Sequence, residues 1–225
     1  MNNIFNRSIG LLGEENFNLI QDKVIAVFGL GGVGGTALEA LARTGFKNFI
    51  LIDFDKVDSS NLNRQILYTA KDIGQLKVET AKERILSINK EAIIETYAVK
   101  AQEFDFNQKI DFIVDAIDDV DGKLYLASKA LEKDIPSIMS LGMANRFDPS
   151  KVKVAKLNQT RNDPLAKKIR YLAKQEGLDL SKISVVISEE LPQKNGEKLY
   201  STMMVPSSAG LSIAKYILEC IINTK

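Results

Sequence analysis

The sequence predicts a doubly wound α/β fold with a mostly parallel sheet, and three observations carry that prediction. Short β-branched and apolar runs at 23–28, 48–52, 92–99, 110–115 and 135–140 alternate with segments of helical period. The first run is followed by Gly29, Gly31 and Gly34, spaced G-x-G-x-x-G, which open a helical pattern over 33–44 that Gly45 ends. The second run delivers an acid, Asp53, 24 positions after Gly29. In such a unit the first glycine makes the tight turn, the second lets backbone approach a phosphate, and the third lets helix and strand pack closely. The helix N-terminus offers unpaired N–H groups and a positive dipole to the anion, and the acid accepts hydrogen bonds from ribose hydroxyls. Strand, turn, helix, second strand and acid together predict a Rossmann-like nucleotide site, without saying which nucleotide.

Taken in order, residues 6–20 read as one short amphipathic helix with Ile9, Leu12, Phe17 and Leu19 inward. Arg7 near its start reads, from spacing alone, as a solvated charge. After Asp53 comes a polar, turn-rich stretch through Asn61, Arg64 and Gln65, at the strand end where ligands sit in open α/β sheets. Residues 77–89 form a helix with Val78, Ala81, Ile85 and Ile88 inward. Lys77 stands in its first turn, where the helix dipole disfavours a cation, a hint that it serves an anion. The run ending at Asp115 leads to Asp118 and Asp119. One carboxylate beside a polyphosphate suits Mg²⁺, which borrows one or two protein oxygens, and the other can cap the helix over 120–133. Asp118 is assigned to the metal and Asp119 to the cap.

Beyond residue 145 the character changes. Residues 151–174 hold Lys151, Lys153, Lys156, Arg161, Lys167, Lys168, Arg170 and Lys174 against the single acid Asp163. That imbalance in a chain of net charge +1 points to a nucleic-acid backbone. Residues 152–157 alternate as a strand, and Asp163-Pro164 caps a helix with Leu165, Ile169 and Leu172 inward. Residues 177–200 read as loop and short strands with a hairpin turn at 194–197, 198–205 as a strand, and Pro206 as the opening of a last helix holding Cys220 in its apolar face.

Composition bounds the chemistry. The chain has 225 residues, one cysteine and no histidine. Histidine acid–base catalysis, histidine metal sites, intrachain disulfides and CxxC zinc sites are excluded. The N-terminus lacks a signal-peptide core and no apolar run approaches a membrane span, so a cytoplasmic protein without membrane attachment is expected. The length predicts one domain: an N-terminal helix over 1–22, a nucleotide-binding core over 23–145, and a substrate-binding, β-rich and helical extension over 146–225.

Gly29-Leu-Gly31-Gly32-Val-Gly34, Asp53-Phe-Asp55, Asn61-Leu-Asn-Arg64-Gln65, Gly74-Gln-Leu-Lys77 and Asp115-Ala-Ile-Asp118 together resemble the adenylating enzymes of the ubiquitin-activating type and their bacterial relatives that activate sulfur carriers. The resemblance implies ATP as the nucleotide and transfer of AMP to a carboxylate. It places Asp53 on the ribose, Arg64 and Lys77 on the phosphates and Asp118 on Mg²⁺, with Gly32, Asp55, Asn61 and Gln65 in the same site. It also replaces the solvated reading of Arg7, which looks like an arginine reaching the partner subunit's site in a homodimer. The closer likeness is to tRNA threonylcarbamoyladenosine dehydratases, through Ala42-Arg-Thr-Gly45, Asp163-Pro-Leu-Ala166, Ile169-Arg170 and Ser184-Val-Val-Ile-Ser-Glu-Glu-Leu-Pro192. That likeness implies a tRNA substrate whose threonine carboxylate is adenylated and then cyclised, with the basic 151–174 segment on the tRNA backbone. The competing readings are an activator of a sulfur carrier, which would bring in a carrier partner, and a plain NAD-binding module, which would leave Arg64, Lys77 and Asp118 unexplained.

Overall fold

A computed structural model of the chain describes residues 4–193 and 198–223; the hairpin turn expected at 194–197 lies outside them. The elements are α1 (Asn6–Leu12), α2 (Glu14–Gln21), β1 (Val24–Phe28), α3 (Gly32–Thr44), β2 (Asn48–Ile52), α4 (Lys77–Ile88), β3 (Ile93–Tyr97), β4 (Phe112–Asp115), α5 (Val120–Glu132), β5 (Ser137–Ser140), β6 (Val152–Lys156), α6 (Pro164–Gln175), β7 (Ser184–Ser188) and α7 (Met204–Ile222). The sheet runs β3-β2-β1-β4-β5-β7-β6. Among the described residues only β6 is antiparallel, pairing Val152 with Ser188 through Lys156 with Ser184. The order reverses between β1 and β4, which pair in parallel from Ile25–Phe112 to Phe28–Asp115. Ligands bind at such a switch point, beyond the carboxyl ends of the strands.

Side chains alternate across each strand, so one apolar run feeds two cores. Ile25, Val27, Phe49 and Leu51 pack with α2, α3, α4 and α7, while Ala26, Phe28, Ile50 and Ile52 pack with Leu126 and Ala130 of α5. Under the far edge, Val185 and Ile187 of β7 pack with Ile169 and Ala173 of α6. Both faces of the sheet are covered, which is why its strands are nearly all apolar.

Two elements differ from expectation. The helix expected over 6–20 is two helices, broken at Gly13 with φ 78°. Residues 198–203 are irregular rather than a strand, and the last helix begins at Met204, ahead of Pro206. A proline in the first turn loses no helical hydrogen bond there. Helix α7 has 19 residues and a mean hydropathy of 1.3, length and composition enough to cross a membrane. Its Val205, Ala209, Ile213 and Ile217 instead belong to the same buried core as Ala37, Leu38 and Leu41 of α3.

Candidate active site

Gly29 leaves β1 at φ 85°, a turn closed to most L-residues, and its N–H donates to the Ile52 carbonyl at 2.8 Å. A Cβ on Gly34 would lie 1.9 Å from the Gly29 oxygen, so the third glycine is required by contact as well as by motif. Gly31 is the N-cap of α3 without a side-chain cap, leaving the first-turn N–H groups open to a ligand. The turn is pinned from behind by Tyr68, whose hydroxyl donates to the Leu30 carbonyl at 2.9 Å. Burial, with Asp53 and Asp55 nearby, pushes that phenol far above its ordinary range.

Asp53 directly follows β2, beside the glycine turn. One of its oxygens accepts from the Leu30 N–H at 2.7 Å and the other from the Asp55 N–H at 2.9 Å. Burial raises its pKa, opposed by the Lys77 charge and these two donors. Lys77 is the first residue of α4 and is buried, with Nζ 2.7 Å from Asp55 Oδ2. The cation that the helix dipole disfavours is therefore balanced by an acid from the β2 loop.

That loop carries the next three groups. Asn61 accepts from the Asp58 N–H at 3.1 Å while Asp58 accepts from Ser60, a reciprocal cap that fixes the turn. Arg64 donates to the Ser60 carbonyl at 2.7 Å and to Asn63 Oδ1 at 3.0 Å. Gln65 is buried, and its Oε1 has no hydrogen-bond partner among the described residues. An unpartnered buried acceptor is costly and points to a missing donor.

At the end of β4, Asp115 is buried in an ion pair with Lys123 of α5 at 2.8 Å. Burial pushes its carboxyl up, and the Lys123 charge pulls it back. Asp119 caps α5 through the Gly122 N–H at 2.7 Å, which holds its carboxyl below the ordinary range. Asp118 between them is exposed and its carboxylate makes no hydrogen bond or ion pair among the described residues.

These groups meet in one cavity of about 790 Å³ at the switch point. Gly29, Gly31, Gly32, Asp53, Asp55, Asn61, Arg64, Gln65, Lys77 and Asp118 line it, whereas Gly34 acts from behind the turn. Asp121, Phe54 and residues 99–103 also line it without having been singled out in the sequence. Their signal was position alone, since residues 99–103 follow β3 and Asp121 follows the cap. Among the described residues no three acidic or cysteine side chains cluster as a metal cage. One or two carboxylates beside a polyphosphate suffice for Mg²⁺, so Asp118, with Asp121 nearby, fits that ion.

Arg7 is exposed on α1 and does not line its own chain's cavity. The basic segment divides. Lys153 pairs with Glu189, Lys156 donates to Ser184 at 2.9 Å, and Arg170 donates to the Thr160 carbonyl at 2.9 Å. Lys151, Arg161, Lys167, Lys168 and Lys174 are exposed.

The ThiF family model matches residues 5–168. The tRNA threonylcarbamoyladenosine dehydratase of Bacillus subtilis (strain 168) is 37% identical over 192 residues, covering 84% of this chain and 75% of that one. The Escherichia coli (strain K12) protein of the same name is 35% identical over 176 residues, covering 76% and 66%. A crystal structure of E. coli tRNA N6-threonylcarbamoyladenosine dehydratase in complex with ATP superposes with a TM-score of 0.90 at 32% identity, covering 97% of this chain and 93% of that one. A second structure of the E. coli protein, in complex with AMP, gives 0.89. The chain belongs to the ThiF family, in the branch that holds these tRNA threonylcarbamoyladenosine dehydratases.

Proposed function

We propose that this chain dehydrates threonylcarbamoyladenosine in tRNA to its cyclic form, using ATP and releasing AMP and pyrophosphate. The observation that carries the reading is the single cavity in which the glycine turn, Asp53, Arg64, Lys77 and Asp118 converge, in a fold shared with an ATP-bound relative. Asp53 accepts the ribose hydroxyls with lone pairs left over from Leu30 and Asp55. The open first turn of α3 and Arg64 hold the phosphates. Lys77 exchanges part of its contact with Asp55 for phosphate as charge builds there. Asp118 holds Mg²⁺, which neutralises phosphate charge when bound. These groups are preorganised donors and charges rather than proton carriers.

The substrate supplies the rest. Its threonine carboxylate oxygen bonds to the α-phosphorus and the bond to pyrophosphate breaks. The urea-like nitrogen then bonds to the activated acyl carbon, the bond to AMP breaks, and the nitrogen's proton passes to solvent. No enzyme nucleophile is needed, in keeping with a chain that has no histidine and a single, partly buried Cys220 on α7. The reading includes a cytoplasmic homodimer in which Arg7 reaches the partner subunit's cavity, and tRNA held along the exposed cations of 151–174.

The test is to incubate tRNA with the protein and MgATP and to weigh its nucleosides. Threonylcarbamoyladenosine should lose the mass of one water with an equal yield of AMP. Unchanged tRNA, with AMP formed only when a carrier protein is added, would overturn the proposal.

A further inference from the structure

The mouth of the cavity is built by two segments to which the adenylation chemistry gives no role: the loop after β5 and the strap of residues 198–203 ahead of α7. Ala144 of the first and Ser201 of the second line the cavity. Asn145 locks them together. Its backbone N–H donates to the Tyr200 carbonyl at 2.7 Å, and its side-chain oxygen accepts from the Tyr200 N–H at 2.7 Å. Its side-chain amide donates to the Lys198 carbonyl at 3.3 Å, and its own carbonyl accepts from the Gln193 N–H at 2.7 Å. Asn145 holds φ 58°, a left-handed conformation that asparagine and aspartate take more readily than most non-glycine residues, as Asn162 and Asp134 do elsewhere in the chain. Arg146 beside it is buried and donates to Asp163 at 3.1 Å, to the Glu190 carbonyl at 2.8 Å and to the Gly142 carbonyl. On the other side, Asn63 donates to the Ser201 carbonyl at 2.8 Å and ties the strap to the loop carrying Arg64.

This fixed rim displays aromatic surface. Phe147 is 62% exposed and Tyr200 54% exposed, with Leu199 at 80% between strap and solvent. Arg64, Lys151 and Lys198 stand on the same segments or next to them. Of the nearby acids, Glu190 accepts from the Phe147 and Asp148 N–H groups, and Asp148 accepts from the Ser150 N–H and hydroxyl. Aromatic faces set among cations are how proteins hold unpaired RNA: bases stack on the rings and phosphates meet the charges.

We propose that Phe147 and Tyr200, set by the Asn145 lock, stack an unpaired nucleobase of the RNA substrate at the cavity mouth, beside the nucleoside being adenylated. The inference rests on the tRNA reading and deepens it by assigning residues to the substrate. The cations on and beside these segments, Arg64, Lys151 and Lys198, complement an RNA backbone and commit the rim to an RNA loop.

The test compares wild type with Phe147→Ala, Tyr200→Ala and Tyr200→Phe in the full chain. Each alanine variant should raise KM for tRNA about tenfold with kcat little changed, and Tyr200→Phe should restore it, because the ring is what stacks. MgATP affinity, turnover of the free modified nucleoside and sedimentation should match wild type. An unchanged KM in both alanine variants, equal losses on the free nucleoside, or dissociation into monomers would overturn the inference. Binding of a labelled, unmodified RNA stem–loop, read by anisotropy, separates the two claims. Wild-type protein that binds the stem–loop through these rings yet dehydrates nothing would sink the activity and leave the rim standing.

Discussion

Lys77 shows how a residue out of place locally becomes intelligible in the site. A cation in the first turn of a helix opposes the dipole, and here it is also buried, paired with Asp55 at 2.7 Å and close enough to Asp53 to act on its charge. It lines the cavity, where the proposed nucleotide phosphates would supply the missing anion. Lys77→Ala should keep its fold and lose on the order of a hundredfold or more in turnover, as removal of one preorganised donor does; AMP release measures it. The same scale fixes a pH dependence. The Gly122 N–H holds the Asp119 carboxyl below its ordinary range. Such a group adds stability above its unfolded pKa and loses it as pH falls through its folded one. Asp119→Ala should therefore cost about 1 kcal/mol at pH 7, the usual worth of an N-cap. The gap between variant and wild type in denaturant midpoint should close below about pH 4. A gap that persists in acid would show that the cap acts without its charge.

At the scale of elements, the first half of the chain was legible because its signals are local. The glycine turn, β2 and Asp53 follow one another within 25 residues (29–53), and the cap at Asp119 directly precedes its helix. The misses have local and non-local causes. Gly13 breaks the N-terminal helix by taking φ 78°, which a periodicity count does not register. Residues 198–203 carry Leu199, Tyr200 and Met203 with the look of a strand, but their partner is Asn145 rather than a sheet edge. The antiparallel seat of β6 beside β7 is set by a pairing across 28 or more residues, beyond any sequence window. Two packing predictions belong here. A Cβ on Gly210 of α7 would stand 2.6 Å from the Val33 carbonyl of α3. Gly210→Ala should cost about 1–3 kcal/mol by overpacking and weaken MgATP binding, since the displaced α3 end faces the phosphates. Lys123→Met would strand the buried Asp115 charge and cost about 3–5 kcal/mol in urea unfolding, most of it recovered by adding Asp115→Asn.

For the whole molecule, the sheet's switch point gathers Asp53, Arg64, Lys77 and Asp118 around one cavity, and the cations Lys167, Lys168 and Lys174 of α6 are exposed. Three of the eight basic residues of 151–174 also bond within the chain, Lys153 to Glu189, Lys156 to Ser184 and Arg170 to Thr160. Replacing Lys167 and Lys168 by Gln should weaken tRNA binding about equally for every sequence. It should also flatten the salt dependence by roughly one ion per lost contact, without touching MgATP affinity. The central claim, that the substrate's own carboxylate attacks ATP, is tested most directly by isotope transfer. With ¹⁸O in the threonine carboxylate of the modified tRNA, a single turnover should deliver one labelled oxygen to AMP and leave pyrophosphate and water unlabelled. Label found in water or pyrophosphate, with AMP unlabelled, would contradict an acyl-adenylate and the account built on it.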